Sequence, residues 1–238
     1  MDQYDSRTAT GGWNGPLVAG ATRGLQVRGA GGVPNTADAV ILDVTATAAS
    51  ANSFLTVFGT GTMTLPTASN LNFAVGQTIA NLVIVKLGTA GRLSFANAVG
   101  SVDVVADVAG YFDTKSGSVF HALTPTRVLD SRAALGGWNA KLVAGTPRSI
   151  VAAACGGIGP GATALLANTT VTGSTDNSFL TAFPRGGTPT TSNLNFAVGE
   201  TAANLVPATI GPTGGISFAT HTAATDVIVD VSGYFAAT

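Results

Sequence analysis

Apolar residues along this chain almost never recur at helical spacing. They alternate with polar residues or gather in short β-branched runs, the pattern of half-buried strands. Residues 39–47 (Ala-Val-Ile-Leu-Asp-Val-Thr-Ala-Thr), 54–58, 81–87, 92–96 and 102–108 read as strands, and each has a counterpart in the second half of the chain. In 225–231, Val227, Val229 and Val231 fall on one face, while Asp226, Ile228 and Asp230 fall on the other. Clusters of Gly, Pro, Asn and Ser separate the runs at intervals expected of a sandwich. The pattern predicts antiparallel β-sandwich or barrel-like modules of about seven or eight strands each.

The same module is written twice. Asp5-Ser6-Arg7 returns as Asp130-Ser131-Arg132, and Gly11-Gly12-Trp13-Asn14 as Gly136-Gly137-Trp138-Asn139. Leu17-Val18-Ala19-Gly20 returns at 142–145 and Asn52-Ser53-Phe54-Leu55-Thr56 at 177–181. Ser-Asn-Leu-Asn-Phe-Ala-Val-Gly occupies both 69–76 and 192–199, and each copy closes on Gly-Tyr-Phe, at 110–112 and 233–235. The expected modules are residues 1–113 and 117–238, joined by the polar stretch 113–118.

One difference between the copies has a structural consequence. Residues 119–128 (Val-Phe-His-Ala-Leu-Thr-Pro-Thr-Arg-Val) precede the second copy, whereas only Met1, Asp2 and Gln3 precede the first. If 119–128 is a strand, the first module lacks its equivalent and has an open sheet edge, which proteins usually cover. The expectation is that another chain, another part of this chain, or residues preceding the sequence fill it.

Composition narrows the function. Net charge is −1 over 238 residues, with 10% charged, so neither nucleic acid nor an anionic membrane is a charge-driven partner. The apolar runs are too short for a membrane-spanning helix, and the opening residues show no basic and apolar leader pattern. A single cysteine, Cys155, excludes an internal disulfide framework and a cysteine-based zinc site. It reads as a small buried filler.

The series Leu-Asp-Ser-Arg, Gly-Gly, Leu-Val-Ala-Gly, Phe-Leu-Thr, Ser-Asn-Leu-Asn-Phe, Ala-Asn-Leu-Val and Gly-Tyr-Phe resembles a repeated β-module of actinobacterial secreted and surface proteins. That module is often appended to hydrolases, and similar sequences occur in proteins of actinobacterial phages. The resemblance covers nearly the whole chain, twice. It implies an accessory, non-catalytic role at a cell surface or in a virion, and it brings no catalytic residues.

The residues agree with that implication. A Ser-His-Asp hydrolase needs a histidine base, yet His121 and His221 each occur in one copy only. Asp103 with Asp107, and Asp226 with Asp230, stand four residues apart on a strand, roughly 13 Å, too far for a glycosidase pair by themselves. The expected role of Asp5, Arg7, Asp107, Asp130, Arg132 and Asp230 is in cross-strand ion pairs. No metal site and no cofactor are expected, and the Gly-rich segments 29–32 and 156–161 read as turns. Asn70, Asn72 and Asn81, with Asn193, Asn195 and Asn204, occur in both copies and are expected to bond backbone where strands bend.

Trp13 and Trp138 are the only tryptophans, each after two glycines and before an asparagine. Two roles compete. Trp13, Asn14, Trp138 and Asn139 form a ligand-binding site for sugars, or the indoles cap the core. The expected function is accordingly a non-catalytic surface attachment module that binds cell-envelope polysaccharide. The alternative is a structural or decoration protein of a phage capsid or tail, with neighbouring subunits, including copies of itself, as partners.

Overall fold

The structure, a computed structural model, describes residues 2–115, 117–152 and 155–237. Ser116, in the expected linker, and Ala153 and Ala154, beside Cys155, lie outside the described residues. The chain divides into two compact units, Met1–Ser116 and Gly117–Thr238. Regular structure is nearly all strand, and every strand pair is antiparallel.

The first unit contains β1 (Asp2–Asp5), β2 (Leu17–Val18), β3 (Thr22–Gln26), β4 (Ala37–Thr47), β5 (Ser53–Gly59), β6 (Leu71–Phe73), β7 (Ile79–Lys86), β8 (Arg92–Asn97) and β9 (Ser101–Asp113). One sheet runs β1-β9-β4-β7, with β2 also on β9, and the other runs β3-β8-β5-β6. The second unit contains β10 (Val119–Asp130), β11 (Arg148–Val151), β12 (Ala162–Thr172), β13 (Ser178–Pro184), β14 (Leu194–Phe196), β15 (Ala202–Thr209), β16 (Gly215–Thr220) and β17 (Asp226–Ala236). Its sheets run β10-β17-β12-β15 and β11-β16-β13-β14. Apart from β2, whose counterpart Leu142 makes only an isolated bridge to Thr225, the strand order is that of the first unit.

Alternation explains each core. In β4, Val40, Leu42, Val44 and Ala46 point inward and are fully buried. In β9 the inward residues are Val102, Val104 and Ala106, and in β17 they are Val227, Val229 and Val231. Leu25, Leu55, Leu93 and Phe95 from the second sheet complete one core. Leu180, Leu194, Ile216 and Phe218 do the same in the other.

The two units differ at one edge. β10 pairs with β17 from Val119↔Ala236 to Asp130↔Ile228, skipping a segment between Ala122 and Thr126 that holds Pro125. Proline lacks the N–H that a ladder needs, so the skip falls where the sequence allows it. In the first unit β1 meets β9 only from Asp2↔Asp107 to Asp5↔Val105.

Candidate functional site

The Asp-Ser-Arg motif builds a latch at the start of each unit. Ser6 is fully buried; its Oγ donates to Asp103 Oδ1 at 2.7 Å and accepts the Val104 N–H at 3.0 Å. Ser131 does the same with Asp226 at 2.7 Å and the Val227 N–H at 3.1 Å. Arg7 closes on Asp5, with Nε on Oδ1 at 2.9 Å and Nη2 on Oδ2 at 2.7 Å. Arg132 grips Asp130 with the same two bonds, at 2.9 and 2.7 Å.

These contacts correct the expected pairing. Arg132 folds back on the aspartate two residues earlier, because the turn after β10 brings its fork alongside that carboxylate. The cross-strand pair is made by a residue not anticipated: Arg127 on β10 reaches Asp230 on β17 at 2.8 Å. Asp226 takes the Lys141 ammonium at 2.6 Å. Asp107 is buried, with Asp43 opposite it in the register.

The bidentate arginine holds the Asp5 carboxyl below its ordinary value and brings that of Asp130 down to about 2 from 3.8. A carboxylate depressed in the fold stabilises it above its unfolded pKa. The contribution of Asp130 is therefore complete above about pH 4 and lost as pH falls toward 2. Thermal melts of wild type and Asp130→Asn should differ most near neutrality, with the wild type more stable, and that difference should close between pH 4 and 2. A gap as large at pH 2 as at neutrality would refute the assignment.

Both indoles are core residues. Trp13 is 7% exposed and Trp138 is 2% exposed. Trp13 Nε1–H donates to the Gly24 carbonyl at 2.9 Å, and Trp138 Nε1–H donates to that of Ser149 at 3.1 Å. Phe95 and Phe218 meet the rings edge-on at 5.5 and 6.0 Å, and Tyr4 adds a further edge in the first unit. The guanidiniums of Arg23 and Arg148 lie over the indoles at 5.8 and 4.5 Å. Sugar stacking needs an open ring face, and these faces are occupied. Asn14 and Asn139 are exposed beside them. The reading of Trp13 and Trp138 as ligand-stacking loop residues is thereby replaced by core capping. A large ring with one N–H donor fills a sandwich end well when a carbonyl lies in reach.

The remaining candidates disperse. Asn70 Oδ1 accepts the Val57 N–H, and Asn81 Nδ2 donates to the Asn70 carbonyl; Asn193 and Asn204 repeat both bonds in the second unit. Asn72 is exposed. His121 stacks on Tyr234 at 4.9 Å and His221 on Phe179 at 5.0 Å. Cys155 is exposed, not buried, because the left-handed pair Gly156 and Gly157 turns the chain at the surface. Among the described residues no three His, Cys, Asp or Glu side chains gather as a metal site would require. Among the described residues no helix is long and apolar enough to cross a membrane.

What the two copies share at the surface is an aliphatic loop end. Val18 and Val143 are 49% and 44% exposed, and Val75 and Val198 are both 62% exposed. In the first unit the loops that carry them are tied together. Val18 pairs with Ser101, Ser101 bonds Ser50, and the Gly76 N–H donates to the Ala49 carbonyl. The valine tips are fixed from behind: Asn52 Oδ1 accepts the Val75 N–H at 2.8 Å, and Asn177 Oδ1 accepts that of Val198 at 2.9 Å. Phe54 and Val99 are also exposed in the first unit. Singly exposed apolar residues are ordinary on a protein surface; these are distinguished by occurring at corresponding positions with the same asparagine brace. The signal was present in the repeats, where Leu-Val-Ala-Gly and Ala-Val-Gly occur in both copies.

No family model matches the chain, and no curated protein matches it. Among solved structures the chain is similar to YhhW from Escherichia coli, at 10% identity and TM-score 0.22, covering 90% of this chain and 77% of that one. It is also similar to the infectious bursal disease virus VP2 subviral particle, at 11% identity and TM-score 0.17, covering 87% and 64%. Likeness at those scores supports no conclusion about either fold or function.

Proposed function

We propose that the protein is a non-catalytic attachment and assembly protein of a cell surface or phage particle, and that it contacts neighbouring protein subunits through the aliphatic loop end of each unit. One observation carries this reading: Val75 and Val198 stand equally exposed at corresponding positions, each braced by the asparagine of a repeated Asn-Ser-Phe segment. Aliphatic tips suit a protein surface, whereas sugar recognition asks for open aromatic faces. Two such ends on one chain give avidity from individually weak contacts.

The test uses the full chain with actinobacterial envelope fragments and purified actinophage particles, each before and after protease or glycosidase treatment. Binding should disappear after protease, survive glycosidase, and fall at least tenfold in Val75→Asp/Val198→Asp. Both positions are solvent-facing, so the fold should be retained by circular dichroism. Binding that glycosidase removes and the double variant keeps would favour the polysaccharide reading instead.

A further inference from the structure

The two units keep the same loop frame where β5 and β13 end, but they line it with different chemistry. In the first unit, residues 59–62 and 86–89 enclose an open cleft of about 330 Å³. That volume lies at the lower end of small-molecule sites, about 300–1,000 Å³. Main-chain bonds stitch the two loops together. Thr60 N–H donates to the Arg92 carbonyl at 3.1 Å, Gly88 N–H donates to the same carbonyl at 3.0 Å, and Thr89 N–H donates to the Thr60 carbonyl at 2.7 Å. A Cβ on Gly59 would lie 3.0 Å from Gly88 Cα, and one on Gly88 would run into the Thr60 backbone. The close approach of the loops therefore depends on glycine. Leu87, which also lines the cleft, is buried.

Three hydroxyls and one ammonium line this frame, and no carboxylate does. Thr60 Oγ1 shares a hydrogen bond with Ser94 Oγ at 2.9 Å, and Thr62 Oγ1 donates to the Gly59 carbonyl at 2.7 Å. A Cβ on Gly61 would run into Thr89 Oγ1, so that hydroxyl sits over the glycine. The Lys86 ammonium is exposed and has no ion-pair or hydrogen-bond partner among the described residues. In the second unit Gly61 and Gly88 recur as Gly186 and Gly211, and a Cβ on Gly211 would again run into backbone, that of Arg185. The polar set does not recur. Thr60, Thr62, Lys86 and Thr89 are replaced by Arg185, Gly187, Thr209 and Pro212. The loop after the strand is also longer in the first unit, 60–70 against 185–193. A frame kept in both copies is what folding needs, and the side chains that differ are free to face a ligand.

We infer that this cleft is a binding site, belonging to the first unit alone, for a small phosphorylated polyol. Lys86 neutralises the phosphate, and the Thr60, Thr62 and Thr89 hydroxyls bond its oxygens and the neighbouring alcohol groups. An ammonium is a compact point charge, which suits tetrahedral phosphate, whereas planar carboxylate is matched by the arginine fork. Hydroxyls donate and accept, so they serve phosphate oxygens and polyol alcohols alike. Loops already locked backbone to backbone have little left to order on binding. The valine loop ends adjoin the start of β5 and the cleft adjoins its end, so this site stands or falls independently of them.

The experiment titrates glycerol phosphate into the isotope-labelled full chain and follows the amide NMR signals, with inorganic phosphate and glycerol titrated separately. Saturable shifts in the millimolar range are expected at the amides of 59–62 and 86–89, weaker with inorganic phosphate and absent with glycerol. Lys86→Gln should weaken binding at least tenfold and Thr89→Val several-fold. Both positions are exposed, so signals elsewhere in the spectrum should match wild type. Absence of saturable shifts, or equal affinity of wild type and Lys86→Gln, would overturn the inference. So would shifts as large around Lys115 or Arg185, because an adventitious ion only would then be bound. Glycerol that binds as tightly as glycerol phosphate would overturn it as well, since no anion would be recognised.

Discussion

Replacing Trp138 with alanine is expected to destabilise the second unit by about 3–5 kcal/mol, and Trp13→Ala should do the same to the first. Each indole fills the mouth of its sandwich between a phenylalanine edge and an arginine, so truncation leaves a cavity that rigid strands cannot close. The Ser149 or Gly24 carbonyl also loses its donor. A loss of that size is a large share of a small domain's stability, which is about 5–15 kcal/mol. Each unit holds one tryptophan, so the emission of the remaining indole follows the unaltered unit, and a circular dichroism transition, which reports both units, that separates from it belongs to the altered one. Urea unfolding that shifts by less than about 0.5 kcal/mol would show that the ring is peripheral and would reopen the sugar-stacking role.

Gly233→Ala and Gly110→Ala should have opposite effects although the residues correspond. In the second unit the new methyl collides with the Phe120 ring and the His121 carbonyl, so β10 must shift or detach. Overpacking of that kind costs about 1–3 kcal/mol. In the first unit the methyl reaches ordinary contact with Ile41, and alanine in place of strand glycine gains about 0.5–1 kcal/mol. Paired thermal melts check both signs. A destabilised Gly110→Ala chain would mean that this edge is already covered in the free protein.

The strand pattern was legible wherever alternation ran long. The runs at 39–47, 92–96 and 225–231 fall within or nearly coincide with β4, β8 and β17. Short strands were not legible: β6 and β14 span three residues each, inside a segment whose asparagines disfavour a strand. Asn70 and Asn193 resolve the conflict by bonding backbone themselves. Candidate sites fared less well. Spacing shows that a charged residue needs a partner but not which one, so Arg132 was matched to a distant strand and Arg127 was overlooked. Trp attracted the functional reading because it is rare and follows two glycines, yet the carbonyl that ties it down belongs to a strand edge eleven residues away. Val75 and Val198 stand in a segment repeated in both copies, but repetition does not say which way a side chain faces, and only the fold turns them outward.

The exposed Cys155 has a practical corollary. It is the sole thiol in the chain and belongs to the second unit. A maleimide dye will therefore attach at one stoichiometric position without any cysteine first being removed, and motions or docking of that half can be followed optically while its twin stays dark.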